Sequence, residues 1–172
     1  MVRSLRRWHK VTAPTPAHTS PILYAMSADL PTDAWAAGYG NTRSTSKAML
    51  LHWSGTAWSL VTSPHPGGAS ILYAVSAQSP TNAWAVGQFF RLNAGGYLPL
   101  ILHWTGTAWR KVATPVPGQE PYPEAHYLAS VTADSPTDAW AVGSYCTANC
   151  VQNSETDGVL ILHWNGRHWS QS

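Results

Sequence analysis

Three short segments place a histidine beside a tryptophan and a second tryptophan five residues further on. They are MLLHWSGTAWS from Met49, LILHWTGTAWR from Leu100 and LILHWNGRHWS from Leu160. Three kinds of chemistry use such residues. Imidazoles ligate metals, indole faces hold a cation or a sugar ring, and both fill cores. The segments have β-strand character, and histidines on equivalent strands of separate units do not converge on one ion. No metal site is therefore expected from His52, His103 and His163. Side chains alternate along a strand, so each histidine should face away from the tryptophan that follows it. The expected role is a polar plug between packed sheets, bonded to a neighbouring backbone group. Trp53, Trp104 and Trp164, with Trp58, Trp109 and Trp169, are read as packing.

Asp33, Asn82 and Asp138 recur beside Pro and Thr in LPTD, SPTN and SPTD. That company suits a turn, where proline presets one φ and a short polar side chain bonds the backbone. Catalysis would need a nucleophile, a base and an orienting group brought together. No such set stands out, so the chain is read as non-enzymatic, with no cofactor. Function is expected where the units differ, because variable loops carry binding. These stretches hold Tyr39, Phe89, Phe90, Tyr97, Tyr122, Tyr127 and Tyr145. Aromatics beside Asn, Gln and Asp fit a sugar's apolar face and hydroxyls, and they fit a protein partner equally well.

The elements that must position these residues come from self-comparison. LYAMSADLPTDAWAAG (23–38), LYAVSAQSPTNAWAVG (72–87) and LASVTADSPTDAWAVG (128–143) align without a gap and put Trp35, Trp84 and Trp140 in register. Each unit reads as four short strands: LYAVSA, then a turn, AWAVG, a variable loop, LILHW, a glycine hairpin, and AWSLV or AWRKV. In AWAVG the large Trp and Val share one face, and Ala, Ala and Gly the other. Large-on-small stacking of successive sheets follows from that. Four antiparallel strands in roughly fifty residues, repeated, predict an all-β chain of β-propeller blades. The expected divisions are a stray outer strand and connector over 1–20, then blades over 21–68, 69–125 and 126–172. Within the first segment, Trp8 marks residues 6–12 as that stray strand.

The motif DAWAVG…LILHW-x-G-x-x-W resembles the blades of the photosystem II assembly-factor propellers and the wider Asp-box, or sialidase-type, repeat group. The likeness covers 22–172, but the hairpins HWSGTAWS, HWTGTAWR and HWNGRHWS lack the Asp-box aspartate. Kelch repeats would want a Gly-Gly pair after the second strand, which is absent. No sialidase catalytic residue carries over, because Arg43, Arg91, Arg110 and Arg167 are scattered. The assembly-factor resemblance implies a protein-interaction scaffold. A lectin-like propeller with multivalent shallow sites is the alternative.

Propellers have four to eight blades, so three leave two faces open. Two chains joined head to tail would give six blades with two-fold symmetry; a longer array containing this segment is the rival. Ten Trp among 172 residues exclude a disordered chain, and no stretch is apolar enough for a membrane helix. Four of the ten Lys and Arg stand within the first ten residues, and the remainder is slightly acidic. With no basic face in the repeats, nucleic acid is not an expected partner. Cys146 and Cys150 are either a small disulfide loop or two inert thiols. Low charge, the Cys pair and much Ser, Thr and Pro lean towards an extracellular setting, although MVRSLRRWHK is not a signal peptide.

Overall fold

The computed structural model describes residues 9–93, 95–116, 126–146 and 158–172. Three four-stranded antiparallel sheets follow one another in chain order. The first holds β1 (Ser20–Leu30), β2 (Asp33–Asn41), β3 (Ser46–Trp53) and β4 (Trp58–Val61). The second holds β5 (Ser70–Ser79), β6 (Asn82–Arg91), β7 (Gly96–Trp104) and β8 (Trp109–Val112). The third holds β9 (Tyr127–Ser135), β10 (Asp138–Tyr145), β11 (Gly158–Trp164) and β12 (Trp169–Gln171). In every sheet the strands lie in sequence order. No helix among the described residues is long and apolar enough to cross a membrane.

The first strands of neighbouring sheets pack on each other, β1 on β5 and β5 on β9, while β4, β8 and β12 contact mainly their own sheets. The sheets therefore converge at the first strand and fan apart towards the fourth. Residues 9–19 form no strand. This corrects the stray strand read over 6–12, as far as it lies within the described residues. An outer strand needs a third strand to bond to, and each described third strand already carries its own fourth.

Two apolar cores fill the two junctions. Trp35, Ala37, Ala48 and Leu50 of the first sheet meet Leu72, Ala83, Ala85, Leu100, Leu102 and Trp109 of the second. Trp84, Val86 and Ile101 of the second meet Leu128, Ala139, Ala141, Leu160, Leu162 and Trp169 of the third. One strand thus serves both cores: β6 sends Trp84 and Val86 forward and Ala83 and Ala85 back. Burying an indole side chain removes about 150–250 Å² from water, on the order of 4–6 kcal/mol at about 25 cal/mol per Å². These tryptophans therefore weigh heavily in the stacking.

Each first strand is bulged beside the glycine of its second strand. The ladder slips at Leu23/Ala25 and at Leu72/Ala74, and in the third sheet at the pairing of Gly143. Tyr24, Tyr73 and Ala129 are the extra residues. The bulge presses the first strand onto the glycine: a Cβ on Gly87 would stand 2.0 Å from the Ile71 carbonyl oxygen. Only a residue without Cβ fits there.

Candidate functional site

The repeated motifs lock together within each sheet. His52 Nε2 bonds Asp33 Oδ1, His103 Nε2 bonds Asn82 Oδ1 at 2.6 Å, and His163 Nε2 bonds Asp138 Oδ1 at 2.8 Å. Each imidazole also lies against the tryptophan of its second strand, with centroids 4.6, 4.1 and 4.2 Å apart. The expected backbone partner is thus replaced by a side chain of the same sheet. The β2–β3 register causes this. Trp35 pairs with His52, and Asp33 lies two residues before Trp35, so all three share one face.

The same turn takes two further contacts from the hairpin. The indole N–H groups of Trp53, Trp104 and Trp164 donate to the carbonyls of Pro31, Pro80 and Pro136 at 3.2, 3.0 and 3.1 Å. Gly55, Gly106 and Gly166 have φ near +90° and sit against the methyl groups of Thr32, Thr81 and Thr137. Proline, threonine and Asp/Asn of the turn each have a designated contact in His-Trp-x-Gly. Three sheets repeat the arrangement. In the second, the partner of the histidine is a neutral amide, which cannot stabilise an imidazolium as a carboxylate would. Among the described residues, no group of three His, Cys, Asp or Glu side chains is placed to hold a metal ion.

The second sheet's pair makes a pH-dependent prediction. An amide oxygen only accepts, so His103 Nε2 carries a proton in this bond. Burial lowers the His103 pKa from 6.5. Stability from this group is full above 6.5 and falls as pH drops from there towards the lower folded value, because the unfolded chain binds the proton first. Asn82→Asp supplies a carboxylate and raises the folded pKa. Relative to wild type, the variant should gain stability between about pH 8 and about pH 5.5, by less than ~1 kcal/mol for a half-buried ring. Thermal melts of both proteins at the two pH values check this; an unchanged difference contradicts it.

A second constellation lies where the first strands converge. Tyr24 stacks on Tyr39 with centroids 5.8 Å apart, Tyr24 meets Tyr73 at 5.5 Å, and Tyr73 meets Tyr127 at 6.0 Å. Tyr97 completes the group. Burial raises the Tyr73 pKa first, and nearby Tyr24, Tyr97, Tyr127 and Tyr39 raise it further. The Tyr24 pKa is raised mainly by its hydroxyl bond to Tyr39. The Tyr24 and Tyr73 phenols therefore stay protonated at neutral pH, and the group offers ring faces and hydroxyls together. Tyr97 also lines a cleft of about 580 Å³ between the first two sheets, with Phe90, Leu92, Lys47, His65 and the backbone of Gly67 and Gly68. Phe90 and Tyr97 stand 5.2 Å apart, edge to face.

Of the aromatics read as surface candidates, Tyr39, Tyr97 and Tyr127 join this group, and Phe90 borders it. Phe89 does not belong on a binding surface. It is 5% exposed and sits in the first core, with the Lys111 ammonium 4.0 Å from its ring centroid. Strand β6 runs past Gly87 to Arg91, so alternation turns Phe89 inward. Tyr145 packs on His126 in the third sheet, 6.3 Å between centroids. Tyr122 lies outside the described residues. Tyr24 and Tyr73 were read only as strand residues; the bulge turns them to the inner edge. Cys146 is buried and disulfide-bonded, while Cys150 lies outside the described residues.

No family model matches the chain, and no curated protein sequence does. Among solved structures, the chain is similar to one titled YCF48 bound to D1 peptide, with TM-score 0.54 and 16% identity. The likeness covers 94% of this chain and 46% of that one, so this chain spans about half that structure's length. The three sheets are β-propeller blades. Their first strands form the inner edge of the propeller; Tyr24, Tyr73 and Tyr127 stand on it, with Tyr39 of β2 and Tyr97 of β7 beside them.

Proposed function

We propose that this chain is a non-catalytic, protein-binding propeller that holds an extended peptide segment of its partner along the tyrosine-bearing inner edge. The observation that carries this reading is the convergence of Tyr24, Tyr39, Tyr73, Tyr97 and Tyr127 from four strands of two blades and the first strand of a third. Tyrosine offers large, rigid contact area with a hydroxyl at its tip, at low entropic cost. The adjoining cleft adds Lys47 and His65, and no carboxylate among the described residues lines it. Acidic residues in the bound segment are favoured accordingly. The similar solved structure holds a peptide, which supports the same mode of use. A lectin would repeat its site in every blade, whereas Ala129 replaces tyrosine at the third bulge.

An array of immobilised twelve-residue peptides, graded in acidic content, tests the proposal. Wild-type chain should be retained by a subset enriched in acidic and apolar residues. Tyr24→Ser and Lys47→Glu, both at exposed positions, should each weaken retention at least about tenfold, as for contacts worth about 1.4 kcal/mol. Retention on a glycan array with none on peptides would overturn the reading in favour of the carbohydrate alternative.

A further inference from the structure

The third blade presents to solvent the forward surface that the internal junctions bury, and the first blade presents the rim of the matching back surface, whose centre at Ala34, Ala36, Met49 and Leu51 is buried with segment 9–19 lying against it. On the forward face of the third blade, Trp140 and Val142 are each 40% exposed and Ile161 is 36% exposed. Their counterparts Trp84, Val86 and Ile101 in the second blade are fully buried. On the back face of the first blade, Leu23 is 45% and Met26 69% exposed, whereas Leu72, the counterpart of Leu23, is fully buried.

The end faces also carry the two halves of each junction's specific contacts. Trp35 inserts between Trp104 and Trp109, at 4.8 and 4.9 Å, and Trp84 between Trp164 and Trp169, at 5.0 and 5.1 Å. The third inserting indole, Trp140, has no such pair among the described residues. The third receiving pair, Trp53 and Trp58, stands 5.7 Å apart on the back of the first blade, close to the 5.9 Å of the two occupied pairs. Backbone contacts repeat likewise. The Ser27 hydroxyl accepts from Ala77 N–H, and the Ser76 hydroxyl from Ala133 N–H, both at 3.0 Å. The matching positions at the ends are the Thr132 hydroxyl and the Ala28 N–H.

We infer that a second copy of this chain covers both faces. The third blade of each copy seats on the first blade of the other, and a six-bladed ring closes about a two-fold axis. Two identical head-to-tail contacts then form, in the arrangement that closes rather than propagates. The segment 9–19 crosses part of the seat, and Ala13 lines a cleft of about 350 Å³ there with Leu23, Met26, Ala36, Leu51 and Trp58. It forms no strand ladder, so an arriving blade can displace it without breaking a sheet. Ring closure would also set the two inner tyrosine edges around one channel. The inference stands on the end faces alone and does not depend on the peptide-binding reading.

The test is the solution mass of this chain by light scattering at micromolar concentration. Wild type should give twice 18.6 kDa. Trp140→Glu and Met26→Glu each change a side chain that is exposed in the single chain, so both should keep the wild-type circular dichroism. Each alone should weaken association at least about thirtyfold, as expected for a central anchor residue, and give one-chain mass. Mixing them should restore a two-chain species, because each variant keeps the face the other lacks. A wild-type mass of one chain overturns the inference and leaves these faces to further blades of a longer polypeptide. A mass above two chains, or no recovery in the mixture, overturns closed head-to-tail pairing.

Discussion

Replacing Trp84 by alanine should cost about 3–5 kcal/mol of stability, whereas Trp140→Ala should cost less than about 1 kcal/mol in the single chain. The two residues occupy the same position in consecutive blades and differ in what covers them. Trp84 is fully buried between the His103 ring and the Trp164 and Trp169 indoles. Its removal loses the transfer free energy of an indole and opens a cavity that the stiff strands around it cannot close. Trp140 is 40% exposed, and the ring it stacks on is His163 of its own blade. A domain of this size has a total stability of about 5–15 kcal/mol, so the first change brings the chain close to unfolding. Urea denaturation below the association concentration measures both. Equal costs would mean that the tryptophans act within their own sheet and not at the junctions.

A single methyl group should do comparable damage at Gly87. A Cβ there would meet the Ile71 oxygen at 2.0 Å and the Leu72 Cα at 2.8 Å. Both are backbone atoms of a bulged strand, so relief means moving β5, which packs against β1 and β9. Gly87→Ala should therefore cost about 3 kcal/mol or more, at the upper end for overpacking. Gly40→Ala is the control. Its Cβ would meet only the Thr19 side chain, at 3.3 Å, and the cost should stay under about 1 kcal/mol. Denaturation midpoints of the two variants decide the matter; a tolerated Gly87→Ala would show that the bulge is free to relax.

Much of this architecture is visible in the repeat itself. Strand content, turn positions and the large-on-small stacking all follow from alternation within AWAVG and LILHW, because a period of two assigns every residue to a face. What escaped depends on pairing across strands. The contact of His52 with Asp33 is a matter of register between β2 and β3, and nothing local to either motif announces it. Tyr24 and Tyr73 lie at bulges, where the period slips by one and a residue changes direction. Phe89 follows a glycine that reads as the end of a strand, yet β6 continues to Arg91 and carries the ring inward. The spacing of Trp8 suggested a strand, but residues 9–12, the described part of that segment, form none. Spacing marks a position in the repeat without supplying the partner that a strand needs.

The His-Trp hairpins, which first suggest chemistry, act as interlocks, and the proposed recognition rests on the tyrosines of the inner edge. The direct measurement is a side-chain NMR titration with a peptide retained on the array, following tyrosine ring signals and tryptophan indole N–H signals together. The tyrosine signals of Tyr24, Tyr39, Tyr73, Tyr97 and Tyr127 should shift with added peptide, while the indole N–H signals of Trp53, Trp104 and Trp164 stay in place on their proline carbonyls. Movement of those indole signals with the five tyrosines unchanged would contradict the account.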